Sequence, residues 1–196
     1  MEFAREKGIP KVVFTSSSRV LSPERNPYTA DKIYGEEKVK GYFGAYGIEY
    51  SIIRPSTVYG PFNDLSKRLM DIWCLNALQG KDLKIMGDEN KTLDFTYVDD
   101  FVDAIMLGMV QRNEDYDLSY GQGEKLSEVA DYIIKLAGQG RKVFVAPEVA
   151  QPQEVQLDIS KIKALGYEPK VDIWEGAERT FGWYKDNFDA VMASRK

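Results

Sequence analysis

Lys11-Val12-Val13-Phe14-Thr15-Ser16-Ser17-Ser18, followed by Asn26-Pro27-Tyr28-Thr29-Ala30-Asp31-Lys32, is the stretch on which the fold turns. Residues 11–16 form a short run rich in apolar and β-branched side chains, which predicts a strand buried on both faces. Residues 17–27 are polar and turn-rich. Asn26 then offers a cap and Pro27 a first-turn residue for a helix over about 28–46, which Gly47 stops. Tyr28 and Lys32 are four apart on that helix and share a face. An ammonium beside a phenol favours the phenolate, and a serine hydroxyl at the strand tip would complete a proton-transfer group.

Outward from this stretch, strands alternate with helices. Residues 2–7 read as the end of a helix closed by Gly8. A second strand spans 49–54, broken by Pro55, and Tyr59-Gly60-Pro61 is a turn. Helical spacing over 65–79 puts Leu65, Leu69, Ile72 and Leu75 or Asn76 inward. Strands are expected at 83–86, 93–98, 116–119 and 142–145. Asp99 or Asp100 should cap a helix running to about 111. Further helices are expected from Lys125-Leu126-Ser127 to about 137, over 159–164, and at the end over 174–187. This alternation is the mark of an α/β fold. The chain opens inside what reads as a helix and then enters a strand that wants neighbours on both sides, a pattern expected of a piece of something longer.

With 196 residues, 43% of them hydrophobic, the chain can bury a substantial core. Its net charge of -5 comes from scattered acids, which argues against a nucleic-acid or anionic membrane surface. No apolar run approaches the roughly 20 residues of a membrane span. The charged N-terminus does not read as a signal peptide. The one cysteine, Cys74, fits a reducing compartment, so the cytoplasm is the expected location. The sequence contains no histidine, which excludes a Ser-His-Asp triad, a Cys-His pair and a histidine-ligated metal, and no metal site is expected. Acid–base chemistry falls to Tyr, Lys, Ser, Asp, Glu or Cys.

Two motifs compete with the first stretch. Gly41, Gly44 and Gly47 have the spacing of a dinucleotide loop, but they close a helix and precede a strand, the reverse of what a pyrophosphate site needs. They read as a helix C-terminus. Tyr34–Lys38 repeats the Tyr-x-x-x-Lys spacing, yet Tyr34 lies six residues beyond Tyr28, about 240° round the helix. It therefore reads as a surface or packing pair. Asp94 is expected in buried structural pairing.

The ordered segments resemble the extended short-chain dehydrogenase/reductase family, the NAD-dependent nucleotide-sugar epimerases and dehydratases. Val12–Ser18 with Pro27-Tyr28-x-x-x-Lys32 and Glu36 is similar to that family's catalytic region. Ile53-Arg54-Pro55-Ser56-Thr57-Val58-Tyr59-Gly60-Pro61 resembles its Arg-Pro-x-Asn-Val-Tyr-Gly-Pro segment. Leu93-Asp94-Phe95-Thr96-Tyr97-Val98-Asp99-Asp100 resembles its Arg-Asp-Phe segment, and Asp158-Ile159-Ser160-Lys161 with Leu165-Gly166-Tyr167-Glu168-Pro169 its C-terminal one.

The resemblance implies the C-terminal part of a Rossmann-like parallel-sheet domain plus a small α/β substrate-binding domain. The first would take residues 1–62; the second would take most of 63–196, with about 95–120 returning to the Rossmann part. It implies Tyr28, Lys32 and Ser17 as catalytic residues. Ser16, Tyr28, Lys32 and Pro55 would meet the NAD cofactor, and Ser17, Ser18, Thr57, Leu93 and Gln153 a nucleotide-sugar substrate. Three positions depart from the pattern: Thr57 stands for an Asn, and Leu93 and Gln153 stand where arginines are usual. Dehydratases of this family place Asp-Glu after the catalytic hydroxyl, whereas Ser18 and Arg19 stand here, which favours 4-epimerisation over dehydration. No glycine-rich cofactor loop occurs, so the chain alone is expected not to bind NAD. The first expectation is the catalytic and substrate-binding portion of an NAD-dependent nucleotide-sugar 4-epimerase acting on a UDP-sugar type substrate; the alternatives are an inactive remnant or half-enzyme that needs a separate N-terminal half, and a non-catalytic nucleotide-sugar-binding module. The family's habit of pairing through the tyrosine-bearing helix implies a possible homodimer.

Overall fold

The computed structural model describes residues 1–147 and 152–195. Its first layer is a parallel sheet of β1 (Lys11–Thr15), β2 (Glu49–Pro55) and β6 (Glu114–Leu118), ordered β1-β2-β6. Lys11 pairs with Glu49 and Thr15 with Ile53; Ser51 pairs with Glu114 and Pro55 with Leu118. The crossover between β1 and β2 is α2 (Pro27–Tyr46), preceded by α1 (Glu2–Glu6) at the start of the chain. The fold class is therefore mixed α/β with a parallel sheet, as the alternation predicts.

The signals that fix α2 are local and hold. Asn26 Oδ1 accepts from the Thr29 N–H at 2.9 Å, Pro27 occupies the first turn, and Gly47 ends the helix in a left-handed conformation (φ 70°). Gly35 sets how closely α2 lies on β1. A Cβ there would come within 2.2 Å of the Phe14 ring, so the missing side chain lets that ring lie directly against the helix. Gly41 and Gly44 have open space around them and form part of the helix, as expected for a helix end rather than a phosphate loop.

A second sheet, β3-β5-β7, joins β3 (Thr57–Tyr59) parallel to β5 (Thr92–Tyr97) and β5 antiparallel to β7 (Gly123–Lys125). A third pairs β4 (Asp82–Met86) with β8 (Arg141–Val145) in parallel. Around these pack α3 (Leu69–Leu78), α4 (Val98–Gly108), α5 (Leu126–Ala137), α6 (Ser160–Lys163), α7 (Ile173–Asp186) and α8 (Phe188–Ala193). One buried cluster sits by the first sheet, with Ile53, Tyr116, Leu118, Ile162 and Tyr167. A larger one, with Tyr59, Trp73, Phe95, Ile133 and Phe181, joins α3, α5 and α7 to the other strands.

Several expectations change. β1 is half-exposed rather than buried on both faces, because it is the edge strand of its sheet and Val13 reaches solvent. α3 begins at Leu69, and Leu65 (67% exposed) and Ile72 (40%) face outward. The buried set is instead Met70, Trp73, Cys74, Leu75 and Ala77. Neither Asp99 nor Asp100 caps α4, which makes no side-chain cap bond. Asp100 is buried and accepts from the Lys170 and Val171 N–H groups, both at 3.0 Å, and so pins the segment before α7. Asp94 is a hydrogen-bond hub: it accepts from the Ser119 hydroxyl at 2.7 Å and from the Gly121 and Leu157 N–H groups at 3.2 Å. Burial pushes its carboxyl up despite those donors. β3, β7 and α8 have no counterpart among the predicted elements.

Candidate active site

A cleft of about 590 Å³ lies where the tips of β1 and β2 meet β3, β5 and the first turns of α2. Ser16, Ser17, Ser18, Tyr28, Lys32, Pro55, Thr57 and Leu93 all line it. Segments up to 140 residues apart in sequence (15 to 155) thus converge on one hollow. Gln153 is the exception. It lines an adjoining groove of about 370 Å³, which shares Ser18, Arg19 and Val155 with the cleft, and its amide donates to Asp88 Oδ1 at 2.8 Å.

Each central side chain is positioned by its element. Tyr28 stands in the first turn of α2, is 52% exposed and lines the cleft. Lys32, one turn on, donates to the Thr15 carbonyl at 2.9 Å. Its ammonium lies 5.7 Å from the Tyr28 ring centroid and 5.5 Å from that of Phe14, within cation–π range of both. Ser17 is buried and caps a short 3-10 turn, Ser18–Leu21, by accepting the Arg19 N–H at 3.2 Å. Tyr34 and Lys38 pair with each other at 5.5 Å on a different, exposed face of α2, away from the cleft.

Beneath the cleft lies a network that motif reading left without a role. Ser16 Oγ donates to Glu36 Oε1 at 2.5 Å, and the Arg54 guanidinium grips both oxygens of Glu36 at 2.8 and 2.7 Å. Arg54 also meets Asp115 at 2.5 Å and Asp117 at 3.5 Å on β6. Burial raises the Glu36 carboxyl, but the bonds from Arg54 and Ser16 outweigh that and leave it below the ordinary carboxylate value. The Glu36 bond in turn holds Arg54 charged. Asp115 is likewise lowered, burial being offset by the charges of Arg54 and Lys161, whereas burial prevails at Asp117 and raises it. A legible signal existed: Glu36 is four residues beyond Lys32 and so shares its face. Arg19, Phe62, Arg68 and Phe101 also line the cleft, and only their placement in space reveals it.

The same arrangement decides what the site can hold. Among the described residues no group of three or more Asp, Glu, Cys or His side chains is placed to bind a metal ion. No helix among them is long and apolar enough to cross a membrane. A phenol, an ammonium and a serine hydroxyl around one hollow form a set suited to moving a proton to or from a substrate hydroxyl.

The chain is similar to known proteins along most of its length. Residues 1–119 match the sequence model of the "NAD dependent epimerase/dehydratase family". A Methanocaldococcus jannaschii protein, provisionally named a UDP-glucose 4-epimerase, is 32% identical over 204 residues, covering 95% of this chain and 67% of its own. The crystal structure of a Thermotoga maritima UDP-glucose 4-epimerase with UDP-glucose superposes with a TM-score of 0.87 at 26% identity, over 95% of this chain and 67% of that one. An epimerase from Methanothermobacter thermautotrophicus reaches a TM-score of 0.91 at 24% identity, over 98% and 64%, a likeness of fold. This chain thus spans about two thirds of the length of these relatives. With its motifs, its parallel sheet and this match over more than half its length, the chain belongs to the NAD-dependent epimerase/dehydratase family.

Proposed function

We propose that this chain carries the catalytic and substrate-binding part of an NAD-dependent nucleotide-sugar 4-epimerase acting on a UDP-sugar. The observation that carries this reading is the meeting of Ser17, Tyr28 and Lys32 in one cleft, with the Lys32 ammonium 5.7 Å from the Tyr28 ring. Tyr28 removes the proton from the sugar's C4 hydroxyl. Lys32 sets a positive charge beside the Tyr28 ring. Ser17 donates to the same oxygen and steadies the charge that develops there. Tyr28 then returns the proton after the keto sugar has turned its other face, which inverts the carbon. The two residues after Ser17 bring no carboxylic acid to the cleft, and the elimination of water by a dehydratase would need one.

Bound NAD would supply the hydride acceptor and donor for this cycle. The nicotinamide-ribose end fits the residues present: Lys32 and Tyr28 offer a donor and a phenol beside the polar Ser16 and the ring of Pro55. The pyrophosphate end finds no glycine-rich strand-to-helix turn in these 196 residues. We therefore expect turnover to require a glycine-rich NAD-binding segment alongside this chain. The test joins the chain to such a segment and follows conversion of UDP-sugars by chromatography. Tyr28→Phe should abolish conversion and leave UDP-sugar affinity within about twofold. Unchanged conversion by Tyr28→Phe would remove the proposed role.

A further inference from the structure

The wall of the cleft between β3 and α3 is held by residues 113–132 positions further along the chain. Residues 60–68 connect the two elements, and Phe62 and Arg68 of this loop line the cleft. The loop is exposed and strained. Residues 65–68 face solvent, and Lys67 takes a left-handed conformation (φ 55°) that a residue with a side chain adopts only at a cost. Its local bonds centre on Asp64, which accepts the Ser66 N–H at 3.0 Å and meets Arg68 at 2.6 Å. Further ties come from α7 and from the residues after α8. The Tyr184 hydroxyl lies 2.9 Å from the Phe62 carbonyl and accepts the Asp64 N–H at 3.3 Å. Arg195 donates to the Asp64 carbonyl at 3.2 Å and to Asn63 Oδ1 at 2.8 Å, and the Asn63 amide donates to Ser194 at 2.9 Å. The same guanidinium grips both oxygens of Asp71, at 2.5 and 2.9 Å, in the first turn of α3. Asp71 is buried, and the Tyr184 hydroxyl lies 2.6 Å from it.

We propose that Arg195 is a positioning residue for the cleft: it ties the 60–68 loop to the start of α3 and so fixes the wall to which Phe62 and Arg68 belong. A guanidinium suits this task, because its rigid fork of N–H groups serves a carboxylate and two further acceptors at once. A lysine ammonium, a point charge, keeps the pairing with Asp71 but not the geometry. Arg195 does not line the cleft itself and acts on it through the loop. With the tie removed, the strained turn at Lys67 is free to relax, and the fraction of chains with the wall in place falls. Ligand affinity falls in proportion to that fraction.

The test uses the chain itself, with two readouts. Trypsin cuts after Lys67 and Arg68, so cleavage there, followed by mass spectrometry, reports opening of the loop. Calorimetric titration with UDP-glucose reports the cleft; this readout alone rests on the nucleotide-sugar reading above. In Arg195→Gln the cleavage rate should rise about tenfold or more. UDP-glucose affinity should fall about threefold or more, as the open form becomes the larger fraction. Arg195→Lys should recover part of both. Asn63→Ala, which leaves the Asp71 pair intact, should move both in the same direction by less, and it serves where Arg195→Gln does not fold. Ile133→Ala, in the buried core of α5, controls for a general loss of stability. Cleavage at 67 and 68 that is unchanged, or that rises equally in Ile133→Ala, overturns the proposal. A loosened loop with unchanged UDP-glucose affinity overturns it as well. A wild-type chain that binds no UDP-glucose overturns the nucleotide-sugar reading, and the cleavage rates alone then decide the positioning role.

Discussion

Glu36→Gln tests the network under the cleft. Glu36 is only 7% exposed at its side chain and receives three hydrogen bonds, two from Arg54 and one from Ser16. Removing one member of a buried ion pair costs about 3–5 kcal/mol, because the other charge stays buried without compensation. Here Arg54 keeps Asp115 at 2.5 Å and Asp117 at 3.5 Å, and glutamine keeps one acceptor, so the loss should fall to about 2–3 kcal/mol. For a domain of this size that lowers Tm by about 4–12 °C. The acid side gives a second signature. The Glu36 carboxyl is depressed in the fold, so its contribution is complete above the unfolded glutamate value of about 4.3 and is lost as pH falls through the lower folded value. The gap between wild type and Glu36→Gln should therefore be widest near neutrality and should close as the pH drops from about 4.3 through that lower value. Thermal melts across a pH series read both effects. A variant that melts within a degree of the wild type at pH 7, or a gap that stays constant into acid, would refute the assignment of Glu36 as the charged partner of Arg54.

Two further pairs of substitutions probe how the cleft is supported. Gly35→Ala gains about 1 kcal/mol of helix propensity, but its Cβ would sit 2.2 Å from the Phe14 ring. Overpacking should win, for a net loss of about 1–2 kcal/mol by urea denaturation, while Gly44→Ala, with open space around it, should be neutral or stabilising; equal behaviour of the two would refute the close packing of α2 on β1. Asp94→Ala leaves the Ser119 hydroxyl and the Gly121 and Leu157 N–H groups without their acceptor, which should cost about 3 kcal/mol or more. Asp94→Asn, which keeps one acceptor, should lose less, and an equal loss in the two would show that shape rather than hydrogen bonding matters there.

The local signals were readable because their physics is local. Asn26, Pro27 and Gly47 act within a turn of the helix they bound, so α2 and the Tyr28–Lys32 face followed directly from sequence. α3 was legible as a helix but not in phase. Leu-Met-Asp-Ile-Trp-Cys-Leu-Asn-Ala-Leu is apolar on nearly every side, and Met70, Trp73, Cys74 and Ala77 fit the i, i+3, i+4, i+7 rule as well as the chosen set does. Tertiary packing against α5 and α7 selected between the two. β3 and β7 are three residues each, too short for a period-2 pattern to register. Asp99 and Asp100 occupied a capping position, but the partner that Asp100 takes lies some seventy residues on, at 170 and 171, beyond any local rule. Arg19 and Arg68 were invisible as site residues for the same reason, since nothing in their neighbours says that β3, β5 and α2 will close round them.

The bond from the Arg19 amide to the Ser17 hydroxyl has a consequence for how this site can vary. It occupies one lone pair of the Ser17 oxygen and leaves the hydroxyl hydrogen available to donate to a ligand. It also ties the proposed catalytic serine to a neighbour that lines both the cleft and the adjoining groove. A change at position 19 that bends the backbone, such as proline, deletes that amide hydrogen and releases the serine as well. Changes at position 19 thereby reach the proposed catalytic serine through a single peptide N–H. The effects of paired changes at 17 and 19 should therefore depart from additivity.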